Sequence, residues 1–213
     1  PFNHPDLVVF QGLYFLPYCK IAKKLKKRNI PYIIIPRSSL TAAGQRSKAL
    51  KKKIGNMLFF NKFIKDAAAI QYLTKDEYTS SGDHWNKTSF IIPNGEEKKT
   101  KTKVWNRKNT INGVFIGRLD IYQKGLDLLV QACAVLKDEM KAAGVEIDIY
   151  GPDRKGSKKM IMDWIVENQL NGIIRVHDPI FDEKKEAVLL DSDFFILTSR
   201  FEGHPMGLIE ALS

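Results

Sequence analysis

Eight short apolar runs punctuate this chain, and they constrain its fold more than any other feature. They are Leu7–Phe10, Tyr32–Ile35, Ala68–Leu73, Ser89–Ile92, Val114–Gly117, Val145–Tyr150, Ile173–His177 and Phe194–Thr198. Each is β-branched or aromatic-rich and is bounded by Pro, Gly, Asn or charged residues, as strands are. Helical segments fill the intervals. The clearest is predicted from Lys124 to Ala143, where Leu126, Leu129, Val130, Cys133, Leu136 and Met140 follow the i, i+3, i+4, i+7 spacing of one buried stripe. Gly144 is placed to stop it. Buried strands alternating with helices imply an α/β protein with parallel sheets covered on both faces.

A chain of 213 residues accommodates one large domain or two modest ones. The boundary is expected between Pro93-Asn94-Gly95 and Asn109, a polar, turn-rich stretch without periodicity. The charge divides at the same place: residues 1–108 hold 22 basic and 7 acidic residues, residues 109–213 hold 12 and 17. The basic excess lies in three clusters, Lys20 to Arg28, Arg46 to Lys53 and Lys98 to Lys108. The expected organisation is therefore a unit over 1–95, a linker over 96–109 and a unit over 110–213. The chain opens on Pro1-Phe2-Asn3-His4-Pro5 just before a strand and closes inside a helix, so an internal fragment is expected, with each unit incomplete at its outer end.

Several classes are excluded or disfavoured. The apolar runs fall far short of the ~20 residues of a membrane-spanning helix. The N-terminal residues lack the basic and apolar regions of a signal peptide. Two cysteines, Cys19 and Cys133, make no disulfide framework and sit at no metal-ligand spacing, which suits a reducing cytoplasmic setting. A basic half meets nucleic acid, anionic lipid or phosphorylated substrate, or is simply a solvated helix face. No helix-turn-helix, RNP or zinc-finger pattern supports nucleic acid, and the aromatics fall in strands, not between the Lys clusters.

Ligands of open α/β sheets sit beyond the carboxyl ends of strands. After Val114–Gly117, Arg118 and Lys124 are close enough to converge on one anion, a planar fork and a point charge suited to a diphosphate. The alternative is surface pairing with Asp120 and Asp127. After Phe194–Thr198 comes Ser199-Arg200-Phe201-Glu202-Gly203-His204-Pro205-Met206-Gly207-Leu208-Ile209-Glu210, with a helix expected to start near Pro205 or Met206. Amides from about Met206 to Leu208 would face an anion. Glu202 and Glu210 would accept hydrogen bonds from vicinal hydroxyls, or serve as a loop acid and a helix-start charge.

Three elements in order, Phe115-Ile116-Gly117-Arg118-Leu119, Lys124-Gly125-Leu126-Asp127-Leu128-Leu129 and Ser199 through Leu212, resemble family 4 of the retaining glycosyltransferases. Ile91-Ile92-Pro93-Asn94-Gly95, Pro5 through Gly12 and Ile35 through Thr41 extend the likeness over the fragment. The resemblance implies the GT-B fold, two Rossmann-like domains with parallel sheets facing across a cleft. The first would be the acceptor side, the second the nucleotide-sugar-binding domain. It implies that Arg118 and Lys124 hold the diphosphate. Glu202 would contact the donor sugar, helped by amides between Gly203 and Leu208. Gly117, His204, Pro205, Met206 and Gly207 would lie in the donor site, Glu210 on the ribose and Ile180 near the base. Gln11 and Arg37 occupy positions where the family often has cleft histidines.

The implied activity is transfer of a sugar, with retention, from a UDP- or GDP-sugar to an acceptor hydroxyl. A bacterial capsule, lipopolysaccharide or exopolysaccharide pathway is implied, with a lipid-linked saccharide acceptor. No cofactor or metal is expected. Asp191-Ser192-Asp193 has the form of a metal signature of the other large glycosyltransferase fold but runs directly into a strand. The location implied is cytoplasmic, with peripheral contact at an anionic inner membrane face. A catalytically silent sugar- or nucleotide-binding relative is the alternative, and a nucleic-acid-binding protein a remote one. His177 reads as structural, His4 and His84 as surface.

Overall fold

The computed structural model describes residues 4–96, 99–105 and 110–213. Pro1 to Asn3, and residues 97–98 and 106–109 of the expected linker and third basic cluster, lie outside the described residues. The chain divides into two compact units, Pro1–Gly95 and Glu96–Ser213.

The first unit runs β1 (Val8–Gln11), α1 (Leu16–Lys27), β2 (Tyr32–Ile35), α2 (Ala42–Arg46), α3 (Ala49–Gly55), a π-helical turn (Asn56–Phe60), α4 (Asn61–Lys65), β3 (Ala69–Tyr72), α5 (Lys75–Ser81) and β4 (Ser89–Ile91). Its four strands pair in chain order, all parallel, with Val8 opposite Tyr32, Ile33 opposite Ala69 and Tyr72 opposite Ile91. The core joins sheet and helices through Phe10, Leu25, Tyr32, Phe63 and Ile64. Phe10 meets Tyr32 and Phe63 edge-on at 5.4 and 5.2 Å, and the Tyr32 hydroxyl donates to Phe63 O at 2.7 Å. A buried phenol is tolerated because its proton has this acceptor.

One buried carboxylate organises the sheet's carboxyl edge. Thr74 caps α5 by accepting from Glu77 N, and Glu77 in turn reaches out of the helix. Its two oxygens accept from Ser38 N at 2.5 Å and Leu73 N at 2.7 Å, tying the loop after β2 to the end of β3. Ser38 has a left-handed backbone (φ 62°), so its amide is held in a turn no ladder satisfies. Glu77→Ala is expected to destabilise the first unit by about 2–6 kcal/mol, since it orphans two donors and each costs about 1–3 kcal/mol. Urea denaturation measures it, and a loss below about 1 kcal/mol would contradict this role.

The second unit runs β5 (Ile111–Ile116), α6 (Ile121–Lys124), α7 (Leu126–Val135), α8 (Lys137–Ala143), β6 (Val145–Tyr150), α9 (Ser157–Glu167), β7 (Ile174–His177), α10 (Asp182–Asp191), β8 (Phe194–Phe195) and α11 (Met206–Leu212). Its sheet is also wholly parallel, in the order β7-β6-β5-β8. The chain builds outward from β5 to β7, then crosses back to place β8 on the other side of β5. The order therefore reverses between β5 and β8.

Two expectations are corrected here. The helix over 124–143 is not continuous. Gly125 takes a left-handed conformation that ends α6, and Leu136 leaves helical geometry (φ −96°, ψ 16°) between α7 and α8. That break turns Leu136 out to solvent, while Met140 returns to the core with Leu126, Leu129, Val130 and Cys133. Burial in this apolar stripe pushes the Cys133 thiol up to about 11. Gly144, also left-handed, ends α8 as expected. The last strand is shorter than its apolar run. Only Phe194 and Phe195 pair with Gly113 and Val114 before the chain leaves the ladder to meet the loop after β5.

The structure also redistributes the charge. Residues 1–95 carry 16 basic and 5 acidic side chains, residues 96–213 carry 18 and 19. Lys101 pairs with Glu186 at 3.3 Å, and Lys103 donates to Leu190 O and Ser192 O, so this stretch packs on α10 of the second unit.

Candidate functional site

A reversal of strand order opens a crevice at the carboxyl ends of the two strands that flank it. In the second unit those strands are β5 and β8, and the loops leaving them carry both motifs singled out in the sequence. Gly117 N still donates to Tyr150 O, continuing the ladder by one residue. Leu119 is fully buried and anchors the loop. Asp120 then caps α6 by accepting from Gln123 N at 3.0 Å and pairs with Arg154 at 2.8 Å.

The loop after β8 is tied to this one by side chains and backbone. Thr198 donates from Oγ1 to Lys124 O at 3.0 Å, and Arg200 N donates to Gln123 O at 2.9 Å. The Arg200 guanidinium forms a two-bond fork on Asp127, both at 2.7 Å, and reaches Tyr122 O at 3.0 Å while lying over the Tyr122 ring. Arg200 bonding holds the Asp127 carboxyl below its ordinary range. Bidentate Arg–carboxylate geometry fixes orientation as well as charge.

Inside this frame Lys124 Nζ donates to Glu202 Oε1 at 2.5 Å, and Ser199 Oγ donates to the same oxygen at 2.7 Å. Both side chains are largely buried, at 15% and 17% exposure. The Lys124 stem runs past Gly117, where an added Cβ would lie 3.6 Å from Lys124 Cε. Surface pairing of Lys124 or Arg118 with Asp120 or Asp127 does not occur, because Arg154 and Arg200 occupy those carboxylates. Arg118 is exposed, and its guanidinium has no partner among the described residues.

The rest of the second loop leads into α11, which starts at Met206 with Pro205 at its cap position. Gly203 and His204 lie half-buried before it. Gly207 is where the helix crosses the end of β5: an added Cβ would sit 2.9 Å from Ile116 O and 3.0 Å from the Phe195 ring. Of the amides expected to face an anion, Leu208 N is instead taken by Pro205 O at 3.0 Å, as the first turn closes on itself. Glu210, on α11, is paired with Lys185 of α10 at 2.6 Å. Ile180 lies half-buried in the loop after β7.

The structure thus brings Lys124 and Glu202 into direct contact, keeps Glu210 with Lys185, and leaves Arg118 as the accessible cation of the first loop. Three residues were missed in the sequence reading: Arg200, Lys185 and Arg154. Arg200 stands inside the second motif and was legible as a charged neighbour of Glu202, but its partner is 73 residues away. The Asp193 carboxylate of Asp191-Ser192-Asp193 accepts from Asn112 N at 2.8 Å, joining β8 to β5. Gln11 and Arg37 belong to the first unit, at the carboxyl ends of β1 and β2. Arg37 Nε donates to Gln11 Oε1 at 3.0 Å.

Residues 111–213 match the family model described as glycosyl transferases group 1. No curated protein matches the sequence. Solved structures match the fold. A mutant of TarM from S. aureus, in complex with fondaparinux, alpha-GlcNAc-glycerol and UDP, is 19% identical with a TM-score of 0.65, over 87% of this chain and 35% of that one. Sucrose-phosphate synthase from Thermosynechococcus elongatus is 15% identical with a TM-score of 0.72, over 97% and 53%. HepE of Anabaena, in complex with UDP and glucose, is 14% identical with a TM-score of 0.69, over 97% and 56%. The chain therefore spans between 35% and 56% of these structures' length. At such identities the likeness shows the GT-B fold. Residues 111–213 thus resemble a glycosyl transferases group 1 domain, carried in a chain of GT-B fold.

Proposed function

We propose that this chain is the core of a retaining glycosyltransferase that moves a sugar from a nucleoside-diphosphate sugar to an acceptor hydroxyl. The observation that carries the reading is the Lys124–Glu202 pair at the β5–β8 crevice, inside the segment that matches the glycosyl transferase family. Arg118 and Lys124 would hold the diphosphate, Glu202 the sugar and Glu210 the ribose. The bond from the anomeric carbon to the β-phosphate oxygen breaks as the acceptor oxygen bonds that carbon on the same face. The departing phosphate takes the acceptor's proton. Charge then grows on the diphosphate, and cations already in place stabilise it more in the transition state than in the ground state. No metal is assigned a role.

The acceptor is proposed to be a lipid-linked saccharide of bacterial surface polysaccharide synthesis, with the basic first unit in peripheral contact with an anionic membrane. Those parts rest on the family resemblance and on the charge of the unit. A thermal-shift panel of UDP-, GDP- and ADP-sugars on the full-length protein tests donor binding, because a ligand of the native state raises its stability by mass action. Stabilisation by one nucleotide class at millimolar ligand is expected. A flat response to all three overturns the reading. Hydrolysis of the stabilising donor separates an enzyme from a silent relative.

A further inference from the structure

We infer that the continuous helix Ala49–Lys65, formed by α3, the π-turn and α4, is a docking ridge for an anionic lipid surface. The inference rests on the membrane-contact part of the proposed function and not on its chemistry.

The helix is apolar on two opposite faces. Its inward face places Asn56, Phe60, Phe63 and Ile64 in or against the core. Its outward face carries Leu50, Ile54, Met57 and Leu58, spaced i, i+4, i+7 and i+8, at 74%, 47%, 72% and 58% exposure. A solvent-facing helix surface is ordinarily polar, and a contiguous exposed apolar stripe marks an interaction surface. The stripe runs along the crest of a ridge. On one side a concavity of about 390 Å³ lies between it and α1, lined by Lys23, Leu58 and Phe59 and by the Lys26–Asp66 pair. On the other a concavity of about 740 Å³ has Leu50 and Met57 beside Lys53 and Lys65.

Charge selects the occupant. Ala49–Lys65 contains five lysines and no acidic residue, and α1 contains five more and none; Asp66, the next residue, pairs with Lys26 at 2.9 Å and with Lys62 at 3.3 Å, so those two are partly neutralised. Lys52 is turned inward, bonding Gly44 O and lying over the Tyr14 ring, and burial lowers its pKa; it takes no part in the outer surface. Lys51 and Lys53 are exposed beside the crest. An aliphatic crest with lysines along its flanks is the pattern of a helix lying in a membrane interface, apolar side chains among the acyl chains and ammonium groups at the phosphates. A nucleic acid would satisfy the lysines but not the crest itself, whose side chains Leu50, Ile54, Met57 and Leu58 are aliphatic or thioether and offer no ring for a base to stack on.

The test is flotation of the full-length protein with vesicles of phosphatidylcholine alone or with about one-third phosphatidylglycerol, in physiological salt. Wild type is expected to partition at least about tenfold more strongly onto the anionic vesicles. The double variant Leu50→Glu, Met57→Glu is expected to lose at least about tenfold on them, and Lys51→Ala or Lys53→Ala about fivefold each. All four positions are exposed, so melting temperatures should stay at the wild-type value, which verifies the fold. Three outcomes overturn the inference: no binding by wild type, wild-type binding by the crest variant, or equal binding to duplex DNA that depends on the lysines and ignores the crest. Donor stabilisation without vesicle binding defeats the ridge alone, and vesicle binding without donor stabilisation defeats the glycosyltransfer reading alone.

Discussion

Lys124→Ala in the full-length protein is expected to lower turnover by about 10²–10³, the scale of losing one preorganised donor to developing charge. Lys124 is held for this purpose from three sides. Its carbonyl accepts from Thr198, its stem lies along Gly117, and its ammonium rests on Glu202. An arriving diphosphate meets a cation already desolvated and oriented, which costs little reorganisation at the moment of bond breaking. The alanine variant also strands Glu202, leaving its largely buried carboxylate with the Ser199 hydroxyl as its remaining side-chain partner among the described residues. Lys124→Arg is expected to rescue poorly, because a planar fork replaces a point charge in a fitted space. Arg118→Ala should act in the same direction without disturbing the fold, since its guanidinium is exposed and has no partner among the described residues. Steady-state kcat and donor KM measure both. A kcat within a few-fold of wild type for Lys124→Ala would refute the assigned role.

Gly125→Ala is expected to destabilise the second unit by about 2–5 kcal/mol, with loss of activity following from loss of structure. Two independent requirements meet at this residue. Its backbone is left-handed (φ 62°), a conformation that costs a residue with a Cβ about 1–2 kcal/mol. An added Cβ would also fall 2.0 Å from Thr198 O and 2.9 Å from its carbon, atoms of a backbone that cannot rotate aside. The loops after β5 and β8 would have to separate, breaking the Thr198–Lys124 and Arg200–Gln123 hydrogen bonds. Forced strain in a packed site costs about 1–3 kcal/mol on top of the backbone term. Chemical denaturation of purified protein, followed by tryptophan fluorescence, reads the change. Because Trp164 on α9 packs against the second unit's core, that unit's transition is visible directly. A loss under about 1 kcal/mol would show that the two loops are not locked together here.

Much of the fold was legible along the chain because its causes are local. Tyr32–Ile35 and Val145–Tyr150 are strands with the boundaries their apolar residues predict, and Gly144 ends a helix in the left-handed conformation that glycine adopts without strain. Local pattern misled where two periodic segments were joined. The stripe from Leu126 to Met140 reads as one helix, yet Leu136 breaks it and faces solvent, since only packing reveals that the core is already filled by Leu129, Val130 and Cys133. The run Phe194–Thr198 reads as a strand of full length, yet contact with the neighbouring loop draws its end off the ladder.

The sequence by itself determined an α/β chain with parallel strands, two units, and two motif-bearing loops rich in glycine, lysine, arginine and glutamate. Those features follow from side-chain apolarity and backbone preferences within a few residues. Only the tertiary structure decided which charges meet. Asp120 and Asp127 went to Arg154 and Arg200, freeing Lys124 for Glu202, a partner 78 residues away. It also decided that one of the lysine clusters flanks an exposed apolar crest. Both outcomes depend on the strand order β7-β6-β5-β8 and on which helix face the core consumes. These are set by how the whole chain buries its apolar surface, and no local spacing encodes them.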